Sequence, residues 1–391
     1  MRIAMIGQKG IPAVSGGVER HVHDLAIELA NLSYPVTVYS RKWYCPERFD
    51  SYQGVNIKYV PSLKTKHLDA ISHSLLATFD AIRNKVDVIH YHGVGPSLVS
   101  WVPRLFSRNI RVITTFHSID RYHKKWNFFA RMFLRLGEWT ATHFAHETVV
   151  VSRSLQNYCF NEFKRETQYI PNAYNISEKI RMKEKENLSE FGLQKGKYLV
   201  MISRLVPHKG AHLLIDAFVK LKENNPNDSN IQNLKLAIVG GSAYTDKYVE
   251  KLHKSASICN QIVFTGNQSG DILEDLYAGA KFLIHPSENE GLPITVLQAM
   301  SCAQPILVSN IPEHLELVDD PRFVFLVNDI ASLQKKIHNM LKMDENTMIS
   351  IGKNNQKKIK REFSWDIVLP RLLDVYNGGL KKVIFCESEL A

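Results

Sequence analysis

The sequence predicts an α/β protein of two domains, each a parallel sheet covered by helices. Its 391 residues exceed what one ordinary hydrophobic core accommodates. Short apolar runs alternate with amphipathic stretches in both halves of the chain, which is typical of strands and helices in a parallel sheet. Residues 173–196 are polar and poor in large apolar side chains, so we expect the interdomain connection there.

The first predicted domain spans residues 1–175. Ligands of parallel sheets bind beyond the carboxyl ends of the strands, so residues that follow strands are the candidates for function. The apolar runs predict seven strands, at 2–7, 35–40, 55–60, 86–91, 111–116, 147–152 and 168–171.

The second predicted domain spans residues 176–362 and repeats the alternation. A further amphipathic helix is expected at 363–377, although it contains Pro370. The predicted strands are 198–203, 235–239, 261–264, 282–284, 305–308 and 323–327, and the longer helices are 211–221, 332–343 and 347–361.

Composition and charge narrow the functional class. The chain is 45% hydrophobic and 23% charged, which is ordinary for a globular protein, and no apolar run is long enough to span a membrane. Five dispersed cysteines and an N-terminus without a signal-peptide pattern predict a cytoplasmic protein. Residues 1–175 hold 22 Lys and Arg against 13 Asp and Glu, so an anionic partner, if there is one, belongs to the first half.

A glycine-rich loop follows the first predicted strand and includes Gly7, Gly10, Gly16 and Gly17. Glycines let the backbone approach a ligand closely, and the helix that follows offers free amides. The spacing is not G-x-G-x-x-G, which argues against a nicotinamide enzyme. A long turn that needs glycine only for its shape is the alternative.

Histidines follow two neighbouring strands of the first domain. His90 and His92 end the fourth predicted strand, and His117 follows the fifth. A metal site would need further ligands, but no cysteine or carboxylate has a regular spacing to these residues, so we predict no metal.

An acidic loop between a strand and a helix forms the centre of the second domain. Glu288 and Glu290 precede Gly291, and Pro293 suits the first turn of the helix that follows. Glu290 could accept bonds from hydroxyl groups, while the helix amides favour phosphate. The pattern fits a phosphorylated, hydroxylated ligand, and a solvated acidic loop is the alternative.

Two cations follow the first strand of the second domain. Arg204 comes directly after the strand and Lys209 precedes the next helix. Beside helix amides they would make a clamp for a diphosphate. An exposed basic turn is the alternative interpretation.

Residues 121–139 combine positive charge with aromatic side chains. On a helix, Lys124, Phe128, Arg131 and Arg135 share one face, and Lys125 lies beside them. Such a stripe suits an anionic membrane surface or an acceptor. An ordinary surface helix is the alternative, and no recognition motif supports nucleic-acid binding.

Together these motifs resemble family 4 glycosyltransferases of the GT-B fold, especially bacterial members that build surface polysaccharides. The similar segments are Gly16-Gly17-Val18-Glu19, the T-x-H that ends at His117, Y-I-P-N at 169–172, R-L-x-x-x-K-G from Arg204, and the start of a Glu-x7-Glu pattern at Glu290. Their order along the chain is the family's order.

The resemblance implies two Rossmann-like domains that face each other across a cleft, with a C-terminal helix that crosses back to the first. It implies retaining, metal-independent transfer from a nucleotide-diphosphate sugar, of UDP or GDP type, to a glycan or lipid-linked acceptor. There His117, Arg204, Lys209 and Glu290 would be catalytic, and the donor would be bound by Gly16, Gly17, Gly266, Asn267, Gly291, Leu292, Ile294 and Gln298.

Four positions depart from the family pattern. Gln298 stands where the family has its second glutamate and keeps a carbonyl acceptor without the charge. Ser203, Ala173 and Ala303 replace glycines, and Ala173 predicts a turn that needs no positive φ.

These departures leave three alternatives open. The first is a degenerate, noncatalytic member that binds a sugar nucleotide or a partner. The second is a GT-B sugar-nucleotide epimerase, which should carry more acids and histidines at the sugar site. A basic nucleic-acid binder is the weakest.

Overall fold

The structure, a computed structural model, describes residues 1–45, 47–63, 65, 68–119, 121, 128–176 and 186–379. Within these residues the chain forms two separate sheets flanked by helices. The strands of the first sheet are β1 (Ile3–Ile6), β2 (Val36–Arg41), β3 (Ser51–Tyr52), β4 (Val55–Val60), β5 (Val88–His92), β6 (Arg111–Phe116), β7 (Glu147–Val150) and β8 (Gln168–Tyr169).

The second sheet follows in the second half of the chain. Its strands are β9 (Tyr198–Ile202), β10 (Lys235–Val239), β11 (Ile262–Gly266), β12 (Phe282–His285), β13 (Ile306–Ser309) and β14 (Val324–Phe325).

Helices connect the strands of both sheets. Those in the first half are α1 (Gly17–Asn31), α2 (Asp69–Arg83), α3 (Trp101–Phe106), α4 (Phe128–His143) and α5 (Arg153–Phe163). Those in the second half are α6 (Ala211–Glu223), α7 (Ser229–Gln232), α8 (Asp246–Ala256), α9 (Gly270–Gly279), α10 (Ile294–Ser301), α11 (Pro312–Leu315), α12 (Ile330–Leu341), α13 (Glu345–Lys358) and α14 (Trp365–Asn377).

Both sheets are doubly wound around a central strand. The first has the order β3-β4-β2-β1-β5-β6-β7-β8 and the second β11-β10-β9-β12-β13-β14. Neighbouring strands run parallel except β3 and β4. All four residues of β1 are buried, as are all five of β9, because helices cover both faces of each sheet.

Helix α14 returns from the second sheet to the first. Trp365, Leu372 and Tyr376 are buried in the apolar cluster that also contains Ile3 and Leu25. The Tyr376 hydroxyl lies 2.7 Å from Nδ1 of His90 on β5. The last helix therefore completes the core of the first domain, as the motif resemblance implied.

Most predicted elements are confirmed. Strands 55–60, 111–116 and 235–239 have the bounds predicted, and the ends of the others differ from the prediction by one or two residues. The sequence analysis missed β3, a two-residue edge strand. It forms a hairpin with β4 through Gln53 and Gly54, which both have positive φ, the geometry of the tight turns that join antiparallel strands.

Two further expectations concern local geometry. Pro293 caps α10 rather than occupying its first turn, since the helix begins at Ile294. Ala173 is not among the residues with positive φ, which confirms the expectation for that turn. The division of the chain near residue 175 stays a prediction, since part of the connection lies outside the described residues.

In the portion of the chain that the structure describes, every helix is too short or too polar to cross a bilayer.

Candidate functional site

A cleft of about 290 Å³ lies between the carboxyl edges of the two sheets. Loops that follow β1, β6, β9 and β12 contribute to it, as expected where parallel strands end. Gly266 does not line the cleft, although its neighbour Asn267 does. The other predicted residues that line it are His117, Arg204, Lys209, Glu290, Gly16, Gly17, Gly291, Leu292, Ile294 and Gln298.

Three helices begin at this cleft. Gly17 starts α1, Gly270 starts α9 and Ile294 starts α10, and all three residues line the cavity. The first amides of a helix have no partner within the helix, and the helix dipole adds partial positive charge there. Their convergence makes the cleft favourable for an anion.

Two glycines of the lining are required by the backbone around them. Gly16 has a φ of 103°, a conformation that strains any residue with a side chain. A Cβ on Gly291 would lie 1.6 Å from the carbonyl oxygen of His117. Gly291 follows β12 and His117 follows β6, so the lack of a side chain at 291 allows the two sheets to approach each other.

An ion pair between Lys209 and Glu290 lies in the wall of the cleft. The exposed fractions of the two side chains are only 14% and 9%. Lys209 ends the turn before α6, and Glu290 lies on the loop between β12 and α10. The pair joins the two motifs for which the sequence analysis predicted separate roles in binding the donor.

Two buried histidines of the second domain lie behind Glu290. Nε2 of His285 lies 3.6 Å from Oε1 of Glu290, and Nδ1 of His285 lies 3.0 Å from Nε2 of His314. Nδ1 of His314 lies 3.0 Å from the carbonyl oxygen of Ser309, which can only accept. His314 therefore carries its proton on Nδ1 and accepts from His285, which leaves Nε2 of His285 as an acceptor facing the ion pair.

Burial and charge act in opposite directions on these groups. Burial raises the pKa of Glu290, but Lys209 and the two histidines outweigh it and hold this pKa well below its usual range. Burial lowers the pKa of Lys209 despite the nearby carboxylate. Burial also lowers the pKa of His285 to about 3 and that of His314 to about 4, so both rings are neutral at neutral pH.

Arg204 supplies a second cation to the cleft. Its side chain is exposed and lines the cavity, and its positive charge helps to lower the pKa of Lys209 after the larger effect of burial. Two cations thus lie on the same side of the cleft as the start of α10.

The histidine that ends β5 and the one that follows β6 lie together with one from α1. His21, His92 and His117 are buried, and one ring nitrogen of each lies within 4.8 Å of the others. Only His117 lines the cleft. Burial lowers the pKa of His21 to about 4 and those of His92 and His117 well below the usual range.

The predicted membrane or acceptor surface lies outside the cleft. Phe128 and Arg131 are exposed on α4, whereas Arg135 pairs with Glu162 at 2.5 Å. Lys124 and Lys125 lie outside the described residues.

Among the cleft residues that the sequence analysis missed are Asn172 and Arg20. The Asn172 amide donates to the Leu292 carbonyl at 2.7 Å, across the two domains. Arg20 on α1 lines the cleft and pairs with Asp24 at 2.8 Å. Asn172 could have been found from its place in the Y-I-P-N segment. For Arg20, the sequence offers no signal beyond its position after the glycine loop.

Two protein-family models match the chain. The model described as Glycosyltransferase Family 4 matches residues 15–178, and that described as Glycosyl transferases group 1 matches residues 183–358. The chain belongs to glycosyltransferase family 4. The family membership expected from the motifs is confirmed.

Individual relatives agree with this assignment. An uncharacterized glycosyltransferase of Methanocaldococcus jannaschii is 25% identical over 97% of this chain and 99% of its own length. The O-antigen chain mannosyltransferase RfbU of Salmonella typhimurium is 26% identical over 61% of this chain and 62% of its own. The crystal structure of Anabaena HepE with UDP and glucose has a TM-score of 0.78, with 19% identity, over 97% of this chain and 100% of that one. These similarities establish a GT-B fold.

The structure explains why the family prefers glycine at one position where this chain departs from the pattern. Ala303, where the family often has glycine, has a φ of 55°. Left-handed backbone costs an alanine more than a glycine, so the family's preference follows from the backbone there.

Gly291→Ala tests whether the close approach of the two domains needs a bare Cα. The added Cβ would overlap the His117 carbonyl, so we expect the domains to separate. Small-angle X-ray scattering should show a larger radius of gyration than in the wild type. Gly95→Ala is the control because a Cβ there meets no atom within 4 Å. An unchanged radius in Gly291→Ala would contradict the argument.

His314→Gln tests the buried histidine pair by its effect on acid stability. A pKa of about 4 in the fold against 6.5 unfolded means that the unfolded chain takes up the proton first, so stability falls as pH decreases from 6.5 towards 4. In the variant, the free energy of unfolding should depend less steeply on pH, by up to about 1.4 kcal/mol per pH unit. Urea unfolding at pH 6.5, 5.5 and 4.5 measures it.

His143→Gln, the same change at a histidine on the surface of α4, is the matched control. Equal slopes in the wild type and His314→Gln would mean that His314 is not held neutral. Glu290 adds little to the slope above about pH 5.5, because its lowered pKa removes stability as the pH falls through the unfolded value of 4.5.

Proposed function

We propose that this glycosyltransferase transfers a sugar, with retention of configuration, from a nucleotide-diphosphate sugar to a glycan or lipid-linked acceptor in cell-surface polysaccharide synthesis. The observation that carries the proposal is the convergence of three helix N-termini, Arg204 and Lys209 on one cleft. Helix amides and two cations are suited to a diphosphate, whose leaving group gains negative charge as the glycosidic bond breaks.

In this proposal the charged residues of the cleft bind different parts of the donor. Arg204 and Lys209 would neutralise the diphosphate, so this step needs no Mg²⁺-type ion. Glu290 would accept bonds from sugar hydroxyls, which it can do because it remains ionised. The Lys209 ammonium pairs with Glu290 and also lines the cleft, so it could bridge Glu290 and the donor phosphate.

Retention is supported by the acids that line the cleft. A double-displacement mechanism uses two carboxyl groups, one of them a nucleophile. Glu290 is the only carboxylate among the described residues of the lining, and it is tied to Lys209. Transfer from the face of the departing diphosphate is therefore the mechanism that we favour.

Relatives support the substrate class without fixing it. RfbU is named for the O-antigen chain, and HepE was crystallised with UDP and glucose. The proposal assigns no side chain of the lining to the nucleotide base, so UDP and GDP donors are both retained.

A membrane-facing surface on the first domain would suit a lipid-linked acceptor. Phe128 is 76% exposed, Leu105 67% and Phe106 64%. Phe79 of α2 contacts Phe106 of α3, with ring centroids 6.2 Å apart. These exposed apolar side chains, and Arg131 on α4, would suit peripheral binding to an anionic bilayer, at the inner face of the cell membrane.

A hydrolysis and binding screen with UDP-, GDP- and ADP-sugars tests the proposed donor class. We expect one nucleotide to be released by the wild type, and release to fall about 100-fold or more in Arg204→Ala, because a charge that stabilises the leaving group is removed. Glu290→Gln should also lose turnover while it keeps a partner for Lys209.

Glu288→Gln is the matched control, since it makes the same change two residues away, outside the lining. Binding without turnover would favour the degenerate alternative. In that case Gln298→Glu should restore tight binding or turnover if the missing carboxylate is the cause, and no response would exclude that explanation.

The double variant Phe128→Ser/Arg131→Glu tests the proposed membrane surface. Reversal of one charge near an anionic surface removes about 2 kcal/mol of attraction, so binding to phosphatidylglycerol vesicles should fall about tenfold or more. Lys254→Glu on α8 carries the same charge change on the other domain. Sedimentation with vesicles measures both, and equal losses in the two proteins would mean that the effect is not local to this surface.

A further inference from the structure

We infer that His21, His92 and His117 form a site for one divalent transition-metal ion of the zinc type, beneath the cleft in the first domain. The three residues come from different elements, the first turns of α1, the end of β5 and the loop after β6. The site is separate from the diphosphate clamp and goes beyond the proposed transfer reaction.

The spacing of the rings suits a shared ion. Two imidazole nitrogens that bind one tetrahedral zinc at 2.0–2.1 Å are about 3.3 Å apart. Nδ1 of His92 and Nε2 of His117 are 3.3 Å apart. The ring centroids of the three residues are 5.0, 5.6 and 5.7 Å apart, close to the separation of about 5 Å that three imidazoles around one such ion require.

Unsatisfied nitrogens point to a missing ligand. Nδ1 of His21 and Nε2 of His92 are buried without a hydrogen-bond partner among the described residues. Buried polar atoms normally have partners, and an orphan needs an explanation such as an ion or a water molecule. An ion bound through Nδ1 of His21 would give that nitrogen a partner, whereas Nε2 of His92 is not used when His92 binds through Nδ1.

The neighbouring His90 shows what a purely structural histidine looks like here. Its Nδ1 lies 2.7 Å from the Tyr376 hydroxyl and its Nε2 lies 2.7 Å from Oγ1 of Thr115. Both nitrogens are used, so His90 is not a candidate ligand. His92, two residues further along the same strand, differs: its Nδ1 faces only the ring of His117 and its Nε2 has no partner among the described residues.

A second cluster, formed by His285, Glu290 and His314, is a weaker candidate. Both nitrogens of His314 have hydrogen-bond partners, and the Lys209 ammonium already neutralises Glu290. A dication there would be repelled by Lys209, whereas no Lys or Arg pairs with the first cluster among the described residues.

The donor set selects the class of ion. Three neutral imidazoles without a carboxylate suit Zn²⁺, Co²⁺, Ni²⁺ or Cu²⁺, while Mg²⁺ and Ca²⁺ prefer oxygen ligands. A fourth position would remain for water or for an anionic oxygen. Because His117 also lines the cleft, the ion would fix the orientation of that ring beside the substrate.

Calorimetric titration of the EDTA-dialysed full-length protein with Zn²⁺, Co²⁺ and Mg²⁺ tests the inference. We expect about one Zn²⁺ or Co²⁺ per chain, a visible tetrahedral Co²⁺ spectrum, a higher melting temperature with Zn²⁺, and no heat from Mg²⁺. His92→Gln should abolish all of these signals, and His21→Gln should weaken binding at least tenfold. His90→Gln should retain the Co²⁺ spectrum.

Two results would overturn the inference. One is the absence of Zn²⁺ binding to the folded wild type. The other is loss of the signals in His314→Gln with retention in His92→Gln, which would place the ion at the second cluster. If His92→Gln does not fold, anomalous diffraction at the zinc edge decides the matter, because the peak must lie among the three rings of the first cluster.

Discussion

The contact between the bare Cα of Gly291 and the carbonyl oxygen of His117 sets how closely the two sheets can approach. Other contacts that join the two halves depend on this approach. The Asn172 amide reaches the Leu292 carbonyl next to Gly291, and a carboxylate oxygen of Glu316 accepts from the backbone amide of Arg153 at 2.7 Å, at the start of α5. The cleft is therefore formed by rigid loops at the carboxyl edges of two packed sheets, which is where preorganised charges are most effective.

Electrostatics in the cleft follow from burial. An isolated carboxylate at the position of Glu290 would be costly, and the Lys209 ammonium makes it tolerable. Removal of either charge would leave the other buried without compensation, so the pair is sensitive to substitution whether or not it contacts the donor. The same pair gives the cleft a carboxylate that stays ionised and a cation that lies next to the helix amides.

Regular elements were predictable because their signals are local. The fully apolar runs that became β1 and β9 are what a strand covered on both faces requires, and the amphipathic pattern from residue 363 predicted α14 even with an internal proline. The motif that contains Arg204 and Lys209 was also predictable, because these two residues lie close together in the chain. The strand β3 was missed because two residues carry too little periodicity, and only the Gln53–Gly54 turn distinguishes them.

By itself, the sequence determined the alternation of strands and helices, the loops that follow the strands and the family to which the chain belongs, since each depends on residues close together in the chain. Only the tertiary structure decided that Lys209 pairs with Glu290, that Gly266 stands back from the cleft and that Arg135 is already paired with Glu162. It also decided that His21 joins His92 and His117. These relations join side chains separated by 25 to 96 positions, and packing of the helices on the sheets sets such distances without leaving a periodic trace.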